Sequence, residues 1–182
     1  MNETTDAYLF SLIKDPVTRD KGFLRLVETY QKPLYWHIRR LVVSHDDAED
    51  ILQETFINVY RFADSFKGES RLFTWLYRIA TNECTKHFRK NKNWLKNAEF
   101  IADKMLGSLS ENDNESSETM LVKFQQAILR LPEKQRVVFN LRYYDELSYD
   151  EIGQILDSSV NTLKTNYHYA AEKIKQYLIE NA

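Results

Sequence analysis

Residues 148–163 read SYDEIGQILDSSVNTL, and the rest of the fold can be worked out from them. Ser148 followed three residues later by Glu151 is a capping box. In it the serine oxygen accepts from a first-turn backbone N–H, and the glutamate reaches back to the serine N–H. A short helix is therefore predicted from Tyr149, with Ile152, Ile155 and Leu156 on its buried side. Asp157-Ser158-Ser159 follows as a tight turn, in which aspartate tolerates the left-handed conformation. A longer helix runs from Val160 to about Ile179. Its inner arc is Val160, Leu163, Tyr167, Ala170, Ala171, Ile174 and Leu178, and Asn161, Lys164, Thr165, His168, Tyr169 and Glu172 face outward. Gly153 sits where a small residue lets the two helices approach closely. Short helix, turn and longer helix make a helix-turn-helix. Its outer face of amides, hydroxyls and aromatics suits base edges and phosphates in a major groove. A plain bundle of three or four helices is the other reading these residues leave open.

Working outward, Met120 to Leu131 reads as an amphipathic helix ending before Pro132. Leu131-Pro132-Glu133 opens another, with Val137, Val138, Phe139 and Leu141 inside. Upstream lies SLSENDNESS, residues 108–117, too polar and acidic to offset the entropy of ordering it. Charge also switches here. Lys86, Arg89, Lys90, Lys92 and Lys96 come without an acid, whereas Glu99, Asp103, Glu111, Asp113, Glu115 and Glu118 face Lys104 alone. A flexible linker over 97–119 is expected, dividing the chain into domains 1–96 and 120–182.

The whole chain fits this picture. Its 182 residues suit two small domains, and only 4 Gly and 3 Pro argue for long helices over a β-sandwich. No run of apolar residues is long enough to span a membrane. Acidic Glu3 and Asp6 stand where a signal peptide would need positive charge, so a cytoplasmic location is expected. Cys84 has no disulfide partner, and His37, His45, His87 and His168 are scattered, so no metal and no cofactor are expected. Net charge is -2, so binding to nucleic acid would need a local basic patch.

The first half supplies one. Phe23, Leu26, Val27 and Tyr30 follow helical spacing, Pro33 marks a break or kink, and Leu34, Ile38, Leu41 and Val42 continue the apolar face. Asp46 or Asp47 is the expected N-cap of a helix whose inner face is Ala48, Ile51, Leu52, Thr55, Phe56 and Val59. After the loop Phe66-Lys67-Gly68-Glu69-Ser70, Ser70 is expected to cap a helix to about Lys92, making a bundle of about four helices. On that last helix Arg71, Arg78, Asn82 and Arg89 fall within about 40° of one another, bordered by Trp75 and Lys86. Arginine and lysine suit phosphates, and an aromatic suits an unpaired base. A solvated charged face with Trp75 in the core is the alternative. Asp46, Asp47, Glu49, Asp50 and Glu54 exceed what capping and the helix dipole need, and they repel DNA. If they are functional, they face a protein.

Taken together, Asp46 to Phe56 (DDAEDILQETF), Phe66 to Ser70 (FKGES), Thr74 to Asn82 (TWLYRIATN), Leu131 to Arg136 (LPEKQR) and Leu147 to Gly153 (LSYDEIG) resemble one family. It is the bacterial extracytoplasmic-function sigma factors, group IV of the sigma-70 family. Order and spacing match over nearly the whole chain. The resemblance implies an all-α protein with sigma region 2 in 1–96 and sigma region 4 in 120–182. It implies that Asp47, Glu49, Asp50, Gln53 and Glu54 meet the β′ coiled coil of core RNA polymerase, with the β subunit as a further partner. It places Lys67, Glu69, Ser70, Arg71, Trp75, Arg78, Asn82, Lys86 and Arg89 at the −10 promoter element, which the factor helps to melt. Lys164, Thr165, Asn166, His168 and Tyr169 would read the −35 element, although the family commonly has arginine at the positions of Asn166 and Tyr169. An anti-sigma factor is a further implied partner, with no direct insertion of this chain into a membrane.

A helix-turn-helix regulator acting without polymerase is the competing reading; it explains the second half and leaves the acidic helix and the Trp75 stripe without work. A helical interaction module with no nucleic-acid role is a third. No Gly-rich phosphate loop, metal cluster or nucleophile motif points to an enzyme.

Overall fold

The computed structural model describes residues 3–68, 70–110 and 117–181. Among them it shows nine α-helices, a single 3₁₀ turn at Ala63–Ser65 and no strand. The helices are α1 (Glu3–Lys14), α2 (Arg19–Val42), α3 (His45–Phe62), α4 (Leu72–Lys90), α5 (Trp94–Ser110), α6 (Ser117–Leu129), α7 (Glu133–Tyr143), α8 (Tyr149–Leu156) and α9 (Val160–Glu180).

The first four helices form one bundle. α2 is its spine, burying Leu26, Tyr30, Leu34, Ile38 and Leu41 completely between α1, α3 and α4. It continues through Pro33 without the break that was one of the two outcomes expected there. Tyr30 and Leu34 on either side are wholly buried, so tertiary packing outweighs the backbone hydrogen bond that proline cannot make. The Pro33 carbonyl in turn accepts from Tyr77 Oη at 3.4 Å. α1, which periodicity did not single out, lies along α2, with Tyr30 Oη donating to Asp6 Oδ1 at 2.6 Å. The approach is close at Gly22, where a Cβ would lie 2.7 Å from Leu12 Cβ and 2.9 Å from the Ile13 nitrogen. Gly22→Ala should therefore push α1 off α2 and lower stability by about 1–3 kcal/mol, readable as a fall in thermal midpoint.

Two helix starts differ from expectation. Ser44, one step before the acidic run, caps α3 by accepting from the Asp47 N–H, so neither Asp46 nor Asp47 is the cap. α4 begins after Arg71, whose extended backbone occupies the cap position without a side-chain bond, and Ser70 does not cap it.

The expected linker is helical over most of its length. α5 runs through Ser110 and α6 begins at Ser117; residues 111–116 lie outside the described residues. Trp94, Ala98 and Ala102, buried at spacings of four, form the apolar stripe that orders the first part of α5. That helix packs on α6, where Gln126 Nε2 donates to Asp103 Oδ1 at 2.7 Å.

In the second half the capping box at Ser148 is complete, Asp157 adopts φ 50° as the left-handed C-cap of α8, and Ser159 caps α9 through the Thr162 N–H. A Cβ on Gly153 would lie 3.0 Å from the Ser158 carbonyl, so the close approach there is to the turn itself. The two halves are not separate bodies. α7 packs on α2 and α8 on α4. Leu141, Ile152, Ile155 and Leu163 join Leu76, Ala80 and Leu34 in one continuous apolar cluster.

Candidate nucleic-acid interface and acidic helix

The acidic helix α3 sits between α2 and α4 with Glu49, Asp50, Gln53 and Glu54 exposed on one outward ridge. Asp47 is half-buried; its N–H serves the Ser44 cap, and its carboxylate lies 3.8 Å from His87 Nε2. Asp47 is thus partly a structural residue, while the other four present their functional groups to solvent. Ile57 and Tyr60, also exposed, extend this ridge toward the end of α3.

The basic stripe on α4 falls where helical arithmetic put it. Arg71, Arg78, Asn82, Lys86 and Arg89 are exposed, whereas Leu72, Leu76 and Ala80 turn into the core. Two of the cations are engaged: Lys86 Nζ lies 3.1 Å from Glu83 Oε2, and Arg71 Nη1 lies 3.2 Å from Glu151 Oε1 on α8. Partial burial works against the Glu151 carboxylate. The N–H and hydroxyl of Ser148 and the Arg71 guanidinium outweigh it and hold the carboxyl below its ordinary value. That stabilisation is present above the ordinary carboxylate range and is lost as pH falls through the lowered value.

Trp75 is neither fully core nor free. It is half-buried, with its ring 5.0 Å from that of Phe66 and tilted by 35°. With Phe66, Lys67, Ser70, Thr74 and Arg78 it lines a cavity whose far wall is Gln154 and Asp157 of the helix-turn-helix. The Thr74 hydroxyl, on the α4 side of the cavity, is buried without a hydrogen-bond partner. Glu69, the remaining residue expected here, lies outside the described residues.

On α9, Lys164, Thr165, His168 and Tyr169 are exposed on one face, as expected for a recognition helix. The Thr165 hydroxyl donates to its own helix at the Asn161 carbonyl, 2.9 Å away, and the Lys164 ammonium lies 5.9 Å from the Tyr149 ring centroid. Asn166 departs from this group. It is half-buried and lines a second cleft together with Arg78 and Asn82 of α4, so one expected −35 residue faces two expected −10 residues.

Sequence reasoning did not find the polar residues that join the halves. The Asp145 side chain, in the turn after α7, is 5% exposed and accepts from Arg40 Nη1 at 3.0 Å and His37 Nδ1 at 2.7 Å. His37 is wholly buried, with Nε2 3.0 Å from Thr81 Oγ1, so an Nδ1–H tautomer satisfies both ring nitrogens. Arg136 lies over the Phe88 and Trp94 rings and donates to the Leu129 and Leu131 carbonyls. Burial lowers its pKa to about 10. Cys84 is fully buried, and burial pushes its thiol well up from the ordinary range. Among the described residues no cluster of His, Cys, Asp and Glu is placed to hold a metal, and no helix is long and apolar enough to cross a membrane.

Residues 26–93 match the family described as Sigma-70 region 2, and residues 121–174 match Sigma-70, region 4. These segments define a sigma-70 protein with both halves in family order, the acidic helix and basic stripe in one and the helix-turn-helix in the other. Full-length relatives narrow the class, and the chain belongs to the extracytoplasmic-function (ECF) RNA polymerase sigma factors. It is 38% identical to the ECF RNA polymerase sigma factor SigW of Bacillus subtilis, over 86% of this chain and 89% of that one. It is 34% identical to the ECF RNA polymerase sigma-E factor of Haemophilus influenzae, over 85% and 86%. Among solved structures, CnrH in complex with the cytosolic domain of CnrY has the same fold at a TM-score of 0.70, with 18% identity over 100% of this chain and 99% of that one. The sigma factor RpoE in complex with the anti-sigma factor NepR, from Bartonella quintana, follows at 0.66 and 23% over 87% and 97%.

Proposed function

We propose that this sigma factor docks on core RNA polymerase through the exposed ridge of α3, meeting the β′ coiled coil with Glu49, Asp50, Gln53 and Glu54, and Asp47 at its edge. The observation that carries this reading is the separation of charge within one bundle. Four polar or acidic side chains stand out from α3, and a basic, aromatic-edged stripe stands out from α4. A regulator that bound DNA alone would have no use for the first surface.

The α4 stripe then takes the −10 element. Arg71, Arg78, Lys86 and Arg89 hold phosphates of the opened strand, and Asn82 reaches a base edge. Trp75, with Phe66 behind it, offers a stacking face, and Lys67 and Ser70 border the cavity beside it. On α9, Lys164, Thr165, His168 and Tyr169 enter the major groove of the −35 element, with Asn166 at the margin. Such a protein performs no bond chemistry of its own; it works in the cytoplasm by positioning polymerase and DNA. Relatives solved with partners, one of them an anti-sigma factor by name, support an anti-sigma factor as a regulator of this chain too.

Run-off transcription with reconstituted holoenzyme on genomic fragments tests this reading. Discrete promoter-directed transcripts are expected only with both core enzyme and this protein present. Their absence, with specific duplex binding by the protein alone, would favour a regulator that acts without polymerase.

A further inference from the structure

We propose that the first helix, α1, is a working part of the −10 apparatus, with Phe10 as the positioning residue that holds Phe66, and through it the Trp75 indole, at the angle a base would meet. This rests on the assignment of Trp75 and its loop to the −10 element made above.

The loop that carries Lys67 and Ser70 stands clear of the bundle at Gly68, where φ is 76° and an added Cβ would meet no atom within 4 Å. Its inward anchor is the Phe66 ring, 6% exposed. Two other rings hold that anchor. Phe10 stands at right angles to it with centroids 4.6 Å apart, the edge-to-face arrangement that ring quadrupoles favour. Trp75 of α4 lies on it at 5.0 Å, tilted by 35°. The row of rings therefore runs from α1 through the loop to α4. Phe66 and Trp75 line the cavity, and Phe10 backs them from outside its lining.

α1 is braced for this task. Thr18 Oγ1 donates to the Leu12 carbonyl at 2.8 Å, and Arg19 Nε donates to the Ile13 carbonyl at 3.1 Å. The Arg19 guanidinium also pairs with Asp64 of the 3₁₀ turn, two residues before Phe66. Lys14 Nζ lies over the Phe10 ring, 4.7 Å from its centroid. Two contacts, Phe10 with Phe66 and Arg19 with Asp64, thus set the start of the loop against α1.

A base gains most from a face already held in place, because a ring free to swing gives up part of the stacking in becoming ordered. The α4 cations need no such help, since Leu72, Leu76 and Ala80 fix their helix in the core. Phe10 therefore bears on strand opening and not on duplex binding. Packing alone asks only for apolar volume at position 10; positioning asks for a ring.

The test uses the full chain in two arms. In the first, the free protein carries fluorotryptophan and is read by fluorine NMR, its three indole signals assigned with Trp36→Phe, Trp75→Phe and Trp94→Phe. Phe10→Leu should shift and broaden the Trp75 signal and leave those of Trp36 and Trp94 in place. In the second, holoenzyme is followed on a promoter recovered by run-off transcription. Phe10→Leu should leave closed-complex affinity unchanged and slow opening about two- to tenfold, the range that an edge-to-face ring pair spans. Added to Trp75→Ala it should slow opening no further, because the ring it positions is gone. Phe10→Ile carries the test if circular dichroism shows that Phe10→Leu has not folded. An unmoved Trp75 signal in a folded variant would overturn the positioning. Opening at the wild-type rate, or a further loss in the Trp75→Ala background, would overturn the role in melting. If Trp75→Ala itself opened DNA normally, the −10 assignment would fall and this role for Phe10 with it; the first arm, which needs no promoter, would still show whether the ring contact holds.

Discussion

The double variant Asp50→Lys/Glu54→Lys should lose measurable binding to core RNA polymerase while melting as a folded protein. Both side chains are exposed on α3, one turn apart, on the face opposite buried Ile51, Thr55 and Val59. The helix keeps its Ser44 cap and the acids of its first turn, Asp46 and Asp47, so its macrodipole remains compensated. At the interface each reversal replaces an attraction by a like-charge contact with a basic partner surface. Such contacts cost several kcal/mol, and two of them together should weaken binding about a thousandfold or more. Affinity would be measured by titrating labelled protein with core enzyme, and folding by circular dichroism. Wild-type affinity in the folded variant would show that polymerase grips another surface.

Trp75→Ala should separate promoter melting from duplex binding. On the proposed reading the α4 cations would meet phosphates whether the strands are paired or not, but an aromatic contributes mainly where a base is unstacked. Such stacking is worth about 1–3 kcal/mol per base, or about five- to one-hundred-fifty-fold in the open complex. The variant should therefore form closed complexes near normally and open complexes slowly by permanganate footprinting. Arg78→Ala or Arg89→Ala should weaken both stages, with a shallower salt dependence. Because the indole is half-buried against Phe66, its removal also lowers stability, by less than the roughly 3–5 kcal/mol of a fully buried tryptophan. Thermal melting beside the footprint keeps the two effects apart. A folded Trp75→Ala protein that opens DNA at the normal rate would take melting away from this residue.

What could be read from the sequence was local. The capping box at Ser148, the left-handed turn at Asp157 and the periodic faces of α4 and α9 are set by residues within a few positions of one another. The exposed stripe of Arg71, Arg78, Asn82 and Arg89 followed from 100° per residue alone. Helix starts were harder. Ser44, Asp46 and Asp47 are all good caps, and the choice falls to whichever residue the bundle lets stay extended. α5 was missed because the acidic run from Glu99 masks the sparse stripe of Trp94, Ala98 and Ala102. The junction of Asp145 with His37 and Arg40 was out of reach altogether. No periodicity links residues more than 100 positions apart, and all three are as common on open surfaces as in buried pairs.

The acidic ridge of α3 standing beside the basic stripe of α4 has a consequence for supply. A chromosome offers on the order of 10⁶–10⁹ nonspecific sites, enough to soak up any protein that shows DNA a bare cationic strip. A chain of net charge -2 that sets an acidic ridge beside its cations is held back from bulk DNA, which leaves most copies free to find the enzyme. The share of polymerase it captures then follows its own synthesis and its competitors, and not the length of the genome.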